Sequence, residues 1–141
     1  MNPENALTDL SGKVVTITGG SRGIGKEIAL AFSRCGANVV IASRKKENCT
    51  ALAKHITETI GTAALPVACH VGQWDQCDEL FSTVYDHFGK CDVLINNAGM
   101  SPLYKSLPDV SQDLFDKVMN VNLRGPVSYT HLRAHETDIN L

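Results

Sequence analysis

The chain has 141 residues, 43% of them apolar and 20% charged, with a formal net charge of −2. That length and balance suit one soluble globular domain. The near-neutral charge gives no field to draw the chain to nucleic acid, and no apolar run approaches the ~20 residues of a membrane helix. The five cysteines, an odd count with no C-x-x-C, read as free thiols rather than a disulfide frame or a zinc site. The opening Met1-Asn2-Pro3-Glu4-Asn5 has no basic segment followed by an apolar one, so no secretory leader is expected. A cytoplasmic location is expected, with a peroxisomal one requiring a C-terminal signal.

Residues 13–18 form an apolar run with strand character. The turn Thr18-Gly19-Gly20-Ser21-Arg22-Gly23-Ile24-Gly25 follows. Ile24, Ile28, Phe32 and Cys35 then recur at helical spacing up to Gly36. A glycine-rich turn between a strand and a helix is a phosphate cradle. Glycine admits positive φ and close approach of the backbone, and the helix start offers unpaired N–H groups and a positive dipole end. The spacing is T-G-x-x-x-G-x-G rather than G-x-G-x-x-G.

Asn38–Ser43 is a second apolar run. Residues 46–60, with Leu52, Ile56 and Ile60, form a second helix stopped by Gly61. Residues 64–71 read as a third strand. Trp74, Cys77, Phe81, Val84 and Phe88 mark the buried face of a third helix that ends at Gly89. Residues 91–95 read as a fourth strand, followed by a loop with Pro102 and Pro108. Ser111 is placed to cap a helix from about 112, with Phe115, Val118, Met119 and Asn122 on one buried face. Alternating strands and helices with short connections predict an α/β fold with a parallel sheet and right-handed crossovers. Strands that are apolar throughout fit helices on both faces. The fold class is therefore a Rossmann-like, doubly wound sheet of about four strands in the order 3-2-1-4.

In such a sheet ligands bind beyond the carboxyl ends of the strands. The second strand ends in Ser43-Arg44-Lys45-Lys46, with no carboxylate to take a ribose 2′-hydroxyl. Arg44 together with Arg22 of the glycine turn suits a 2′-phosphate instead, so NADP(H) is favoured over NAD(H). Lys45 and Lys46 need be no more than a solvated basic turn. The third strand ends in Cys69-His70-Val71 and the fourth in Asn96-Asn97-Ala98-Gly99. No metal site is expected.

The T-G-x-x-x-G-x-G turn and the N-N-A-G stretch, each after a strand, resemble two cofactor motifs of the short-chain dehydrogenase/reductase family. The resemblance covers about residues 8–127, nine-tenths of this chain. It implies an oxidoreductase that reduces a carbonyl or oxidises an alcohol with NADP(H). It places the cofactor on Gly19, Ser21, Arg22, Gly23, Ile24, Gly25, Ser43, Arg44, His70, Val71, Asn97, Ala98 and Gly99. Relatives often carry Asp at the His70 position, against the adenine. Asn122, in Met119-Asn120-Val121-Asn122-Leu123, resembles the helix asparagine that holds a water in the family's proton relay. The resemblance further implies a small-molecule substrate and a full-length homodimer or homotetramer, pairing through the helix near 112 and the next one. Local stretches resemble both the peroxisomal carbonyl/retinal reductases and the bacterial 3-oxoacyl reductases, and no choice between them follows.

The family's serine and Tyr-x-x-x-Lys do not occur in these 141 residues. Tyr129-Thr130-His131-Leu132-Arg133 is too soon after Asn122 to supply the pair, with no strand between. This chain alone is therefore expected to be inactive, the alternative being a non-catalytic nucleotide-binding or subunit-pairing fragment. Residues 128–137 break the apolar stripe of the preceding helix and resemble translated cloning adaptor. Residues 8–127 are expected to form the NADP(H)-binding domain, and 128–141 a non-native or disordered tail.

Overall fold

A computed structural model describes residues 9–134. Four parallel strands form one sheet in the order β3-β2-β1-β4. In chain order the elements are β1 (Val14–Thr18), α1 (Gly23–Arg34), β2 (Asn38–Ser43), α2 (Lys46–Thr59), β3 (Ala64–Ala68), α3 (Trp74–Phe88) and β4 (Val93–Ile95). A 3-10 turn at Leu107–Asp109 leads to α4 (Gln112–Met119), a π-helical turn (Asn120–Arg124) and α5 (Gly125–Ala134). No described helix is long and apolar enough to cross a membrane.

Successive strand side chains point to opposite faces of a sheet, and here both faces are covered. Val15, Ile17, Val39 and Ile41 pack against Ala29 and Leu30 of α1 and Leu52, Ala53 and Ile56 of α2. Val14, Val40 and Ala42 pack on the other side with Cys77, Leu80, Phe81 and Val84 of α3 and Tyr129 of α5. Pro66 is tolerated in β3 because that strand lies at the sheet edge, paired with β2 alone. The third strand stops at Ala68, short of the expected 71. Its register with β2 runs out at Ser43↔Ala68, and His70 N then donates to Gln76 Oε1 at 2.7 Å. The fourth strand is likewise shorter than expected. Before it, Asp92 accepts from Val14 N at 2.8 Å and pairs with Lys90 at 3.1 Å and Lys13 at 3.5 Å.

The structure corrects the burial expected of two helices. Trp74 is expected on a buried helix face, yet it is half exposed, opening the first turn of its helix. The face of Phe115, Val118, Met119 and Asn122 is not buried either, since no described element covers it: Phe115 is 55% exposed and Met119 37%. Across the expected boundary at 127, α5 spans Gly125–Ala134, and Ser128 and Tyr129 are buried, Tyr129 against α3. Residues 135–141 lie outside the described residues.

Candidate functional site

The carboxyl ends of all four strands open on one cleft of about 520 Å³, a size ordinary for a small-molecule site. Gly19, Ser21, Arg22, Gly23, Ile24 and Gly25 from the β1–α1 turn line it, as do Ser43 and Arg44 after β2. His70 and Val71 contribute from beyond β3, and Asn97, Ala98 and Gly99 from beyond β4. Every residue expected at the cofactor thus reaches one place. Lys45, Asn48, Cys69, Met100 and Val121 line it too and were not foreseen. Lys45 had been read as merely solvated.

Thr18 ties the halves together. Its Oγ1 donates to Ile95 O and accepts from Asn97 N and Ala98 N, each at 3.2 Å. The Asn97 amide returns the bond, donating to Thr18 O at 3.0 Å and Gly19 O at 3.1 Å. Asn96 does not share in this; its amide donates to Thr130 Oγ1 at 3.3 Å. The glycine turn needs its glycines for different reasons. A Cβ on Gly25 would lie 2.3 Å from Gly19 O and 2.5 Å from Asn97 Nδ2, a space already filled. Gly23 has φ +55° and nothing within 4 Å of an added Cβ, so its requirement is conformational and its outer side is open.

The α1 start has the character of an anion site. Arg22 is its N-cap in extended conformation with no side-chain cap bond, and no acid stands in the first turn. Its leading N–H groups are therefore left for whatever enters the cleft. Arg22 and Arg44 are exposed at the cleft, and neither takes part in an ion pair among the described residues. Ser43 Oγ donates to Ser21 Oγ at 2.8 Å, joining the end of β2 to the glycine turn. His70 Nδ1 accepts from Gly72 N at 3.1 Å, which leaves its ring proton on Nε2. Behind the wall, the Cys69 thiol donates to Gln76 O and the Cys77 thiol to Val71 O, each at 3.5 Å. The interaction of the neighbouring sulfurs, and then burial, pushes Cys69 up, while the same interaction lowers Cys77. No group of three His, Cys, Asp or Glu able to hold a metal occurs among the described residues.

Asn122 lies beside this cleft, not in it. It borders an adjoining hollow with Ala98, Gly99 and Met100. Its side chain clamps one backbone unit, accepting from Met100 N at 2.9 Å and donating to Met100 O at 2.8 Å. The π turn sets it there, a local widening often found at working sites. Gly125 follows, where a Cβ would meet Val71 O at 2.2 Å, so only glycine lets α5 approach the cleft rim. Neither the π turn nor Gly125 was foreseen, because helical spacing in sequence carries no sign of one extra residue per turn. Tyr129 is fully buried in the second core, away from the cleft, and its hydroxyl has no hydrogen-bond partner among the described residues.

The family model for short chain dehydrogenase matches residues 13–137. Human dehydrogenase/reductase SDR family member 2, mitochondrial, is 37% identical over 118 residues, covering 83% of this chain and 41% of that protein. The structure of a short-chain type dehydrogenase/reductase from Mycobacterium marinum superposes with a TM-score of 0.85 at 33% identity, covering 92% of this chain and 50% of that one. L-sorbose reductase from Gluconobacter frateurii, solved with NADPH and L-sorbose, gives 0.87 at 28% identity, covering 91% and 48%. The chain spans about half the length of the relatives it matches.

Proposed function

The chain belongs to the short-chain dehydrogenase family, whose members are oxidoreductases, and from that premise we propose that it is the NADP(H)-binding part of an enzyme interconverting carbonyls and alcohols. One observation carries this reading: an uncapped helix start, two arginines without an ion-pair partner among the described residues, and the backbone of the Asn97–Ala98–Gly99 stretch meet at a single cleft. The glycine turn and the first N–H groups of α1 would take the pyrophosphate, for which the space beside Gly23 is open. Arg22 and Arg44 would take the 2′-phosphate, with no carboxylate after β2 to oppose it. Asn97 and Thr18 fix the height of the turn. When bound, the nicotinamide supplies or accepts a hydride. Asn122 holds the Met100 backbone at the edge of the adjoining hollow, on the side where a substrate would enter. The chain carries no Tyr-x-x-x-Lys among its 141 residues, and the reading is that it binds cofactor without turnover.

Titration of NADPH against the purified chain, followed by its fluorescence, tests the cofactor reading, and no binding at millimolar cofactor overturns it. Arg44→Asp is expected to lower NADPH affinity by about tenfold relative to NADH, since a charge-assisted bond to phosphate is worth about 1.5–3 kcal/mol. An unchanged ratio would remove Arg44 from the 2′-phosphate site. A second reading, pairing with other subunits, is favoured by the exposed Phe115, Met119, Leu123 and Val127, which recur every fourth residue along α4, the π turn and α5.

A further inference from the structure

Cys49 stands in the first turn of α2 with none of its surface exposed. Its sulfur lies 3.1 Å from Ser43 Oγ and 3.8 Å from Val67 O of β3. Ser43 Oγ lies 2.8 Å from Ser21 Oγ in the glycine turn. Ser43 and Ser21 border the cleft and Cys49 does not. A three-member chain of S–H and O–H groups thus runs from the core to the cleft wall.

Each hydroxyl has one proton to give and two lone pairs to receive. Three acceptors lie within reach of Ser43 Oγ: Ser21 Oγ at 2.8 Å, the Cys49 sulfur at 3.1 Å, a weak acceptor, and Lys45 O at 3.5 Å, well beyond the length of a good O–H···O bond. The nearest and strongest is Ser21, and the Ser43 proton goes there. The Ser43 lone pair is then free to take the Cys49 S–H, for which Val67 O is the more distant choice. Ser21 Oγ has accepted one bond, and its own proton is left for whatever fills the cleft. Arg22, the next residue, and Arg44, next to Ser43, bring positive charge to the same corner.

We infer that Cys49 is a positioning residue for a phosphate monoester in this corner of the cleft: it acts through Ser43 to turn the Ser21 hydroxyl proton toward the anion. The inference rests on the NADP(H) reading above and specifies which buried group supports it. Were the chain reversed, with Cys49 donating to Val67 O and Ser43 to the sulfur, Ser21 would spend its proton on Ser43 and have none for a ligand.

The test compares NADPH and NADH binding to the full chain and its Cys49→Ala, Cys49→Ser and Ser43→Ala variants, with melting temperatures alongside. Loss of one hydrogen bond of about 1 kcal/mol predicts that Cys49→Ala lowers the NADPH-to-NADH affinity ratio about fivefold. Cys49→Ser, which keeps a donor there, should hold most of the ratio. Ser43→Ala should match the loss, and adding Cys49→Ala to it should lower the ratio no further. A ratio unmoved in Cys49→Ala, or additive losses in the double variant, overturns the inference. So does an equal fall of both affinities together with the melting temperature, which would make Cys49 merely a core residue. Should Cys49→Ala fail to fold, the ratio in Cys49→Ser and Ser43→Ala decides alone. A parent chain that binds neither cofactor overturns the functional reading itself, before any variant is compared.

Discussion

At Gly25 a single residue type is dictated by two partners distant in sequence. The space for a side chain is taken by Gly19 O and the Asn97 amide, and Asn97 cannot retreat while it holds Thr18 O and Gly19 O. Gly25→Ala is expected to destabilise the fold by about 1–3 kcal/mol, the ordinary cost of overpacking, and to abolish NADPH binding. A urea midpoint measured beside the fluorescence titration checks both. The need for glycine here was legible in the T-G-x-x-x-G-x-G spacing, but the reason was not, because a motif does not say what presses against it. Cys49 and Gly125 were illegible for the same cause. A lone buried cysteine and a mid-helix glycine acquire meaning only from Ser43 and from Val71 O, which the fold brings to them.

Elements followed the sequence closely wherever packing on both sides fixed them. β2 lies between β1 and β3 and runs over the expected Asn38–Ser43. β3 and β4, each paired on one side only, fell short of expectation, since apolar residues continue where hydrogen-bonding partners do not. The start of β4 is set by Asp92, which receives the Val14 N–H and two lysines. Desolvation, the largest influence on its carboxyl, raises the pKa, but the Val14 bond, Lys90 and Lys13 together hold it below the ordinary 3.8. A depressed folded-state pKa stabilises the fold above the unfolded value, and that contribution is lost as pH falls through the folded one. Asp92→Asn is thus expected to cost roughly 1 kcal/mol near neutral pH and to flatten the loss of stability below about pH 4. Thermal melts from pH 7 down to 3 check this, and parallel curves for the two proteins would count against it.

Over the whole molecule, polar and apolar surfaces are unevenly shared. The open cleft end carries the cations Arg22, Arg44 and Lys45, while one flank carries Phe115 (55% exposed), Met119 (37%), Leu123 (54%) and Val127 (55%). Apolar residues in such a row mark a contact surface. The subunit-pairing reading predicts that the chain self-associates at high micromolar concentration and that Leu123→Lys with Phe115→Lys returns it to monomer. Sedimentation velocity reads the outcome, and a parent chain that stays monomeric removes this reading. The sequence placed Phe115 and Met119 on one face with Val118 and Asn122 and assigned that face to the interior, since periodicity locates an apolar stripe without naming what covers it; Leu123 and Val127 were not placed on it.

The Thr18–Asn97 junction also fixes the order in which the molecule can assemble. Its bonds close a loop of 79 residues, and contacts of such long range form late because the chain entropy must be given up first. α1 and α2 can dock on β1 and β2 through nearby contacts, but the glycine turn gains its final height only when β4 arrives. A ligand that needs the turn at that height therefore favours the state in which β4 is paired with β1, and its binding adds to the stability of that pairing.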